Sequence, residues 1–421
     1  MKVILLVADS FKASAPGFAG GQAHTPSLDT LAKQGTRFDN AFAAGAWTIP
    51  SILSMLTGVP GHRTGVCRWR HPFLHRVPSL FSAFSEAGFQ VASFHPYPEW
   101  GLLTIPDKGI VGNSQELEQI VRLLRDGPED QFVFILHWWT HLPYVTRRLP
   151  RPAWHAACDL AIDSLRQHPE RFAEKLESNY LRAVSHFSEE ILPRYLDAAS
   201  AGGGSTLITV TGDHGETWGR SWPEGKRIDH VYDLHGRWIT DETIRIPLVI
   251  AGNGEQSAIP ENRAIAPMVS GADIGLTLAK LAGVPWPDNT SQKEQFYGRS
   301  FADLVLGRTE TGRTEVLTVS SHNTFEPKTY PTKGTEMWRT MALRDDTHWY
   351  IFDGATSQRT VIPHVEETPD VGDADSVFTV LQKEHRAAVD SPEPITNEQA
   401  NELRNEQQQV AEKLRSLGYL D

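Results

Sequence analysis

The chain has 421 residues, 40% hydrophobic and 22% charged, a balance typical of a large globular protein with room for more than one domain. Its formal net charge of -12 argues against broad nucleic-acid binding, so an anionic ligand would need a locally positive site, for instance through a metal. The two cysteines, Cys67 and Cys158, exclude a disulfide framework and a Cys-rich zinc module.

The first residues, Met1 to Asp9, carry one basic side chain and a short apolar run that Asp9 interrupts too early for a signal-peptide core. No run of about 18 apolar residues follows, so no membrane span is expected. A soluble cytoplasmic protein is the expectation, with a homo-oligomer left open.

In chain order, Val3 to Ala8 reads as a strand buried on both faces, with Asp9 where it ends. Thr25 to Gly35 reads as a short helix and Gly35 to Phe42 as a strand. Trp47 to Gly58 then reads as a helix. Thr48 is an N-cap residue type there, Pro50 suits the first turn, and Ile52, Leu53 and Leu56 form an apolar face. Pro78 to Gly88 suits a helix, Phe89 to Phe94 a strand, and Ser114 to Asp126 an amphipathic helix.

Gln131 to Leu136 is a second buried strand, which delivers His137 to Tyr144. Pro150 to Arg171, polar and proline-containing, reads as an insertion near the site rather than core. Glu174 to Ala198 is a long helix with Tyr180, Val184, Phe187, Ile191, Leu192 and Tyr195 on one side. Thr206 to Thr211 is a third central strand and ends at Gly212-Asp213-His214-Gly215-Glu216. Trp218 to Leu234 is loop-like, Ile246 to Ala251 another strand, and Asp273 to Gly283 a helix. Glu315 to Val319, Met341 to Arg344 and Trp349 to Phe352 suggest a smaller antiparallel layer, and Glu398 to Leu417 a charged terminal helix.

Separate strands therefore end in candidate site residues: Asp9 after one, Asp213 and His214 after another, Thr48 opening a helix after a third. In open α/β sheets, ligands gather at the carboxyl ends of strands. Two carboxylates, an imidazole and a threonine oxygen make a mixed O/N shell suited to one divalent cation, Mn²⁺, Zn²⁺, Mg²⁺ or Ca²⁺. A cation there would lower the pKa of the Thr48 hydroxyl, and the helix N-terminus favours an anionic ester. The bland alternatives are a threonine that only caps its helix and an aspartate that only closes a turn. Trp47, Trp138, Trp139, Trp218 and Trp222 lie near these motifs and suit either core packing or an aromatic-lined pocket.

These pieces resemble the sulfatase branch of the alkaline phosphatase superfamily. The likeness rests on Val3 to Asp9, on Thr25-Pro26-Ser27-Leu28-Asp29-Thr30-Leu31-Ala32-Lys33-Gln34-Gly35-Thr36-Arg37-Phe38, and on Thr48-Ile49-Pro50-Ser51 through Leu56-Thr57-Gly58. It extends to His141-Leu142-Pro143-Tyr144, Thr211 to Glu216, Arg245 to Ile250 and Leu417 to Leu420. The resemblance implies an α/β/α sandwich around a large mixed sheet over residues 1–311, with a smaller C-terminal α+β subdomain over 312–421 packed on it. It implies Asp9, Thr48, Asp213 and His214 as the metal shell. It also implies catalytic roles for Thr48, His141 and His235, and substrate-side roles for Ser10, Lys12, His137 and Tyr144. A second metal, held by His137, His141 and His235, is the alternative to a single ion.

The sequence departs from the sulfatase pattern at the position of greatest consequence. Sulfatases use a formylglycine made from Cys or Ser in Cys/Ser-x-Pro-x-Arg, whereas here Thr48 and Ile52 occupy the first and last places. Oxidised threonine would be a ketone rather than an aldehyde. Threonine nucleophiles occur in relatives that act on phosphoryl groups. The expected activity is therefore hydrolysis or transfer of a small phosphate mono- or diester or phosphonate ester through a covalent Thr48 intermediate. The alternatives are a sulfate ester hydrolase without formylglycine and a non-catalytic member.

Overall fold

The structure is a computed structural model that describes residues 1–64, 78–96, 109–146, 149–218, 234–236, 239–254, 259–286, 297–320, 340–354, 356–364 and 373–389. Residues 219–233 of the expected loop Trp218 to Leu234, Trp222 among them, and the expected terminal helix Glu398 to Leu417 lie outside these residues. No helix among the described residues is long and apolar enough to cross a membrane.

The large sheet is built from β1 (Lys2–Ala8), β2 (Gly35–Phe42), β3 (Gln90–His95), β4 (Ile110–Asn113), β5 (Gln131–His137), β6 (Thr206–Gly212), β7 (Arg245–Asn253), β8 (Arg263–Ile265) and β9 (Val269–Ser270). Its order is β4-β3-β5-β1-β6-β7-β2-β8, with β9 also on β2. β1 lies at the centre, parallel to both β5 and β6, and β7 is antiparallel to its neighbours β6 and β2. The sheet is thus mixed, and β1, β2, β5 and β6 all end at one edge. Register makes Ala8 the partner of both His137 and Gly212, so the residues after β1 and β6 emerge side by side.

Both sheet faces are apolar because both carry helices, as the continuous hydrophobic runs of the central strands require. On one face Val3, Leu5, Val7, Phe132, Phe134 and Leu136 pack against α2 (Thr48–Thr57), α3 (Leu80–Glu86) and α8 (Ile274–Leu281). On the other, Ile4, Leu6, Ala8, Val133 and Ile135 pack against α1 (Pro26–Lys33), α4 (Leu117–Asp126), α5 (Arg151–Gln167), α6 (Pro169–His186) and α7 (Leu192–Ala201). This is an α/β/α sandwich. Alternation along a strand decides which layer a residue meets.

Two expectations need correction. Within Pro150 to Arg171, expected as an insertion rather than core, residues 151–167 form a helix, and Cys158, Ala161, Ile162 and Leu165 of α5 are buried in the core. Their i, i+3, i+4, i+7 spacing is a helical stripe hidden among polar residues. The long helix begins earlier than expected, at Pro169, and a π turn at Phe187–Ile191 separates α6 from α7. All six of its expected inward residues are buried.

A second, antiparallel sheet follows in the order β10 (Val316–Ser320), β11 (Thr340–Arg344), β12 (His348–Asp353), β13 (Gln358–Pro363). β13 was not foreseen, because only Val361 and Ile362 interrupt its polar run. One face of this sheet packs on α9 (Ala374–Val389) through Phe378 and Leu381. The other sends Val316, Ala342 and Trp349 into the main core.

Candidate active site

Strand parity aims the site. Asp9 follows Val3, Leu5 and Val7, and Asp213 follows Leu207, Thr209 and Thr211, so both carboxylates fall on the α2 side of the sheet. The chain leaves β2, crosses Ala43 to Ala46, and enters α2 at the same edge. Trp47, not Thr48, occupies the cap position, and its extended backbone makes Thr48 the first helical residue. This corrects the capping role expected of Thr48. Its hydroxyl makes no cap bond and is free to face the cluster.

There, Thr48 Oγ1 lies 3.2 Å from Asp9 Oδ2 and 3.3 Å from His214 Nε2. His214 Nε2 is in turn 3.5 Å from both Asp9 Oδ1 and Asp213 Oδ2. All four residues are buried.

The donor set fits a divalent cation. One ligand atom from each of Asp9, Asp213 and His214 lies within 4.8 Å of the others, a spread compatible with metal–ligand bonds of about 2.0–2.3 Å. Asp213 Oδ1 accepts from the backbone N–H of Ser10 at 3.1 Å and of His214 at 2.8 Å, while Oδ2 has no hydrogen-bond partner among the described residues. His214 Nδ1 is 2.7 Å from the Gly215 carbonyl, so Nδ1–H donates there and Nε2 presents its lone pair to the cluster. Burial pushes the His214 imidazole down to about 4 and keeps it neutral. Burial also raises Asp213 to about 7, and burial with the neighbouring Asp213 carboxylate raises Asp9. Two buried carboxylates facing each other carry negative charge that a cation would offset.

The other expected site residues are distributed unevenly. Ser10, in the left-handed region at φ 61, gives its hydroxyl to Asp9 Oδ1 at 2.9 Å. Lys12 sits with Nζ 3.5 Å from Glu242 Oε1 and 4.5 Å from the Trp218 ring centroid. It lines a cleft of about 440 Å³ together with Arg37, Asp39, Asp241, Glu242 and Arg245.

His141 Nδ1 bonds to the Leu142 carbonyl at 2.6 Å, and its ring stacks on Trp138 at 5.2 Å. Trp154 of α5 continues that stack, 5.1 Å from Trp138. The His235 ring lies 4.6 Å from that of His214 and 5.4 Å from that of His141. These imidazoles gather at the cluster.

His137 does not join them, which corrects its substrate-side and second-metal assignments. It shares the parity of Val133 and Ile135, so it points into the opposite layer, where Nε2 meets Tyr195 Oη at 2.6 Å. Burial drives its imidazole down to about 3.

Glu216 closes the Thr211 to Glu216 motif, and the sequence by itself assigns it no role. It is buried, with one oxygen 2.7 Å from His235 Nδ1 and the other accepting from Tyr144 Oη at 2.9 Å. Burial pushes the Glu216 carboxyl up, but His235 outweighs it and holds the group below its usual range. Burial lowers His235 in the same way, yet the Glu216 charge leaves it raised. The only sequence signal was an acidic residue two places after a metal-ligand type.

Comparison with known proteins agrees with this fold. Residues 2–102 match the sulfatase family. Solved structures with the same fold include a 2-O GAG sulfatase (TM-score 0.64, 16% identity, 92% of this chain and 91% of that one). They also include the phosphonate monoester hydrolase of Agrobacterium radiobacter (TM-score 0.63, 16% identity, 91% and 96%). The chain is sulfatase-like in N-terminal sequence and in fold.

Among curated relatives, this sulfatase-like chain is 30% identical over 105 residues to the N-acetylglucosamine-6-O-sulfatase of Bacteroides thetaiotaomicron, covering 25% of the chain and 18% of that protein. It is 22% identical over 309 residues to the ulvan-active sulfatase of Formosa agariphila, covering 69% and 54%. The chain thus spans about a fifth of the length of the first curated relatives it matches.

Proposed function

We propose that this sulfatase-like chain is a metal-dependent hydrolase of phosphate mono- or diesters or phosphonate esters, with Thr48 as nucleophile. One observation carries the reading: a threonine hydroxyl at the mouth of a helix, 3.2 Å from Asp9 and 3.3 Å from His214, inside a buried Asp9–Asp213–His214 cluster. A divalent cation held by these three residues and Thr48 Oγ1 would supply Lewis acidity, lowering the hydroxyl pKa and drawing charge from the ester oxygens.

The remaining work falls to the chain. Thr48 Oγ1 attacks phosphorus in line, forming the threonyl O–P bond as the bond to the alcohol oxygen breaks. The first turn of α2 offers its positive dipole end to the equatorial oxygens. His235 and His141 stand beside the cluster as partners of the departing oxygen, each with Nδ1 already engaged and Nε2 left to serve it. Water then cleaves the threonyl ester.

Sulfate ester hydrolysis is the second reading, favoured by the sulfatase names of the curated relatives. Threonine at position 48 opposes it, because it cannot become a formylglycine. Purified protein assayed with Mn²⁺, Zn²⁺, Mg²⁺ or Ca²⁺ on matched aryl phosphate, phosphonate and sulfate esters separates the two. A larger kcat/KM on phosphorus esters is expected, and a larger value on the sulfate would reverse the assignment. A folded protein that binds no divalent ion would point to a non-catalytic member.

A further inference from the structure

We infer that Glu216 is a positioning residue for His235, fixing which ring nitrogen serves the ester and in what plane. The inference rests on the reading above, in which His235 assists the departing group. Both Glu216 oxygens are committed: one takes His235 Nδ1–H at 2.7 Å and the other Tyr144 Oη–H at 2.9 Å. Trp218 Nε1–H then holds Tyr144 Oη at 3.0 Å, so the carboxylate is braced from behind.

Tyr144 adopts φ 56, a conformation non-glycine residues rarely take, and in it the phenol meets Glu216. A carboxylate that takes Nδ1–H leaves Nε2 as the open nitrogen, and a ring held at one edge cannot flip. The ring so fixed lies 4.6 Å from that of His214. Glu216 therefore acts on the ester only through His235.

The test is a double-mutant cycle over Glu216→Ala and His235→Ala, read on a phenyl and a 4-nitrophenyl ester of the same phosphonate. Glu216→Ala should lower kcat on the phenyl ester roughly 10- to 100-fold, in the range of other lost supporting contacts. It should affect the nitrophenyl ester far less and leave KM unchanged. Glu216→Gln, which keeps an oxygen acceptor, should recover most of the rate. Added to His235→Ala, the Glu216 change should cost nothing further. Losses that multiply, or that fall equally on both esters, overturn the inference.

A second readout needs no turnover. The His235 Nδ1–H proton resonance, identified by its loss in His235→Ala, should vanish in Glu216→Ala, and its persistence there also overturns the inference. If Glu216→Ala does not fold, Glu216→Gln decides alone: its weaker neutral acceptor must shift that resonance upfield, and an unmoved resonance refutes the pairing. Wild-type protein that hydrolyses none of the esters sinks the proposed activity, while the resonance still decides the Glu216–His235 pairing.

Discussion

Thr48 stands apart from the other hydroxyls of its helix in what it faces. Ser51, Ser54 and Thr57 each donate to a main-chain carbonyl, whereas Thr48 faces two side chains that suit a metal. Thr48→Ala should lower turnover by on the order of 10³-fold or more while the fold stays intact by circular dichroism, because the bond it loses, to Asp9 Oδ2, belongs to the cluster and not to the helix. Retained activity would make water the attacking group. His95 and His137, both buried, give a separate prediction. Burial holds them at about 4 and about 3, so both are neutral when folded at pH 7. As pH falls below about 6.5 the unfolded chain binds protons that the folded chain refuses, and stability drops. Each contributes a slope of about 1.4 kcal/mol per pH unit down to its folded pKa. Denaturant titrations at pH 7, 6 and 5 should show that slope, and it should diminish in His137→Gln. An unchanged slope would place the proton uptake elsewhere.

The elements near the site are held by short connections. Gly45 lies in the crossing between β2 and α2, where an added Cβ would come 2.6 Å from the Ser51 backbone nitrogen and 2.8 Å from Pro50 Cγ. Gly45→Val should push α2 outward and reduce kcat by about 10²-fold, the cost of displacing a reacting group by about 1 Å. Full activity in that variant would show that α2 relaxes freely. The same scale explains the misread α5. Its polar residues face outward around a narrow buried stripe, and composition hides a stripe that periodicity reveals. His137 belongs here too, since a strand residue shifted by one position meets the opposite layer.

Across the whole molecule, the second sheet braces the first. Val319 accepts from Ala46 N at 3.0 Å and donates to Ala44 O at 3.1 Å, and Thr318 Oγ1 donates to Ala43 O at 2.7 Å. Ser320 Oγ bonds to the carbonyl of Gly236, next to His235. β10 thus ties both the approach to Thr48 and the His235 turn. A chain ending at residue 311 should therefore lose cooperative unfolding, since Val316, Ala342 and Trp349 fill the main core. A sharp, reversible melt of that fragment would contradict this. Cation binding should also stabilise the whole fold, by about 2.7 kcal/mol at a hundredfold excess over Kd. Scanning calorimetry with and without chelator should show a Tm shift that Asp213→Asn removes and Thr48→Ala largely keeps. An equal shift in all three proteins would put the cation elsewhere.

Sequence by itself determined the buried central strands, the helix at Thr48 and the residues that close the strands at Asp9 and Asp213, because each follows from local periodicity and end signals. The four-residue cluster was readable as strand ends that gather at one sheet edge, and the family likeness strengthened that reading, although Asp9 and His214 are 205 positions apart. The tertiary structure alone decided which layer each strand-end side chain enters, and so separated His137 from His141 and His235. It alone joined Glu216 to Tyr144 and His235, 72 and 19 residues away. Hydrogen bonds across such separations leave no periodic trace in the chain, because register between strands, not spacing along them, creates them.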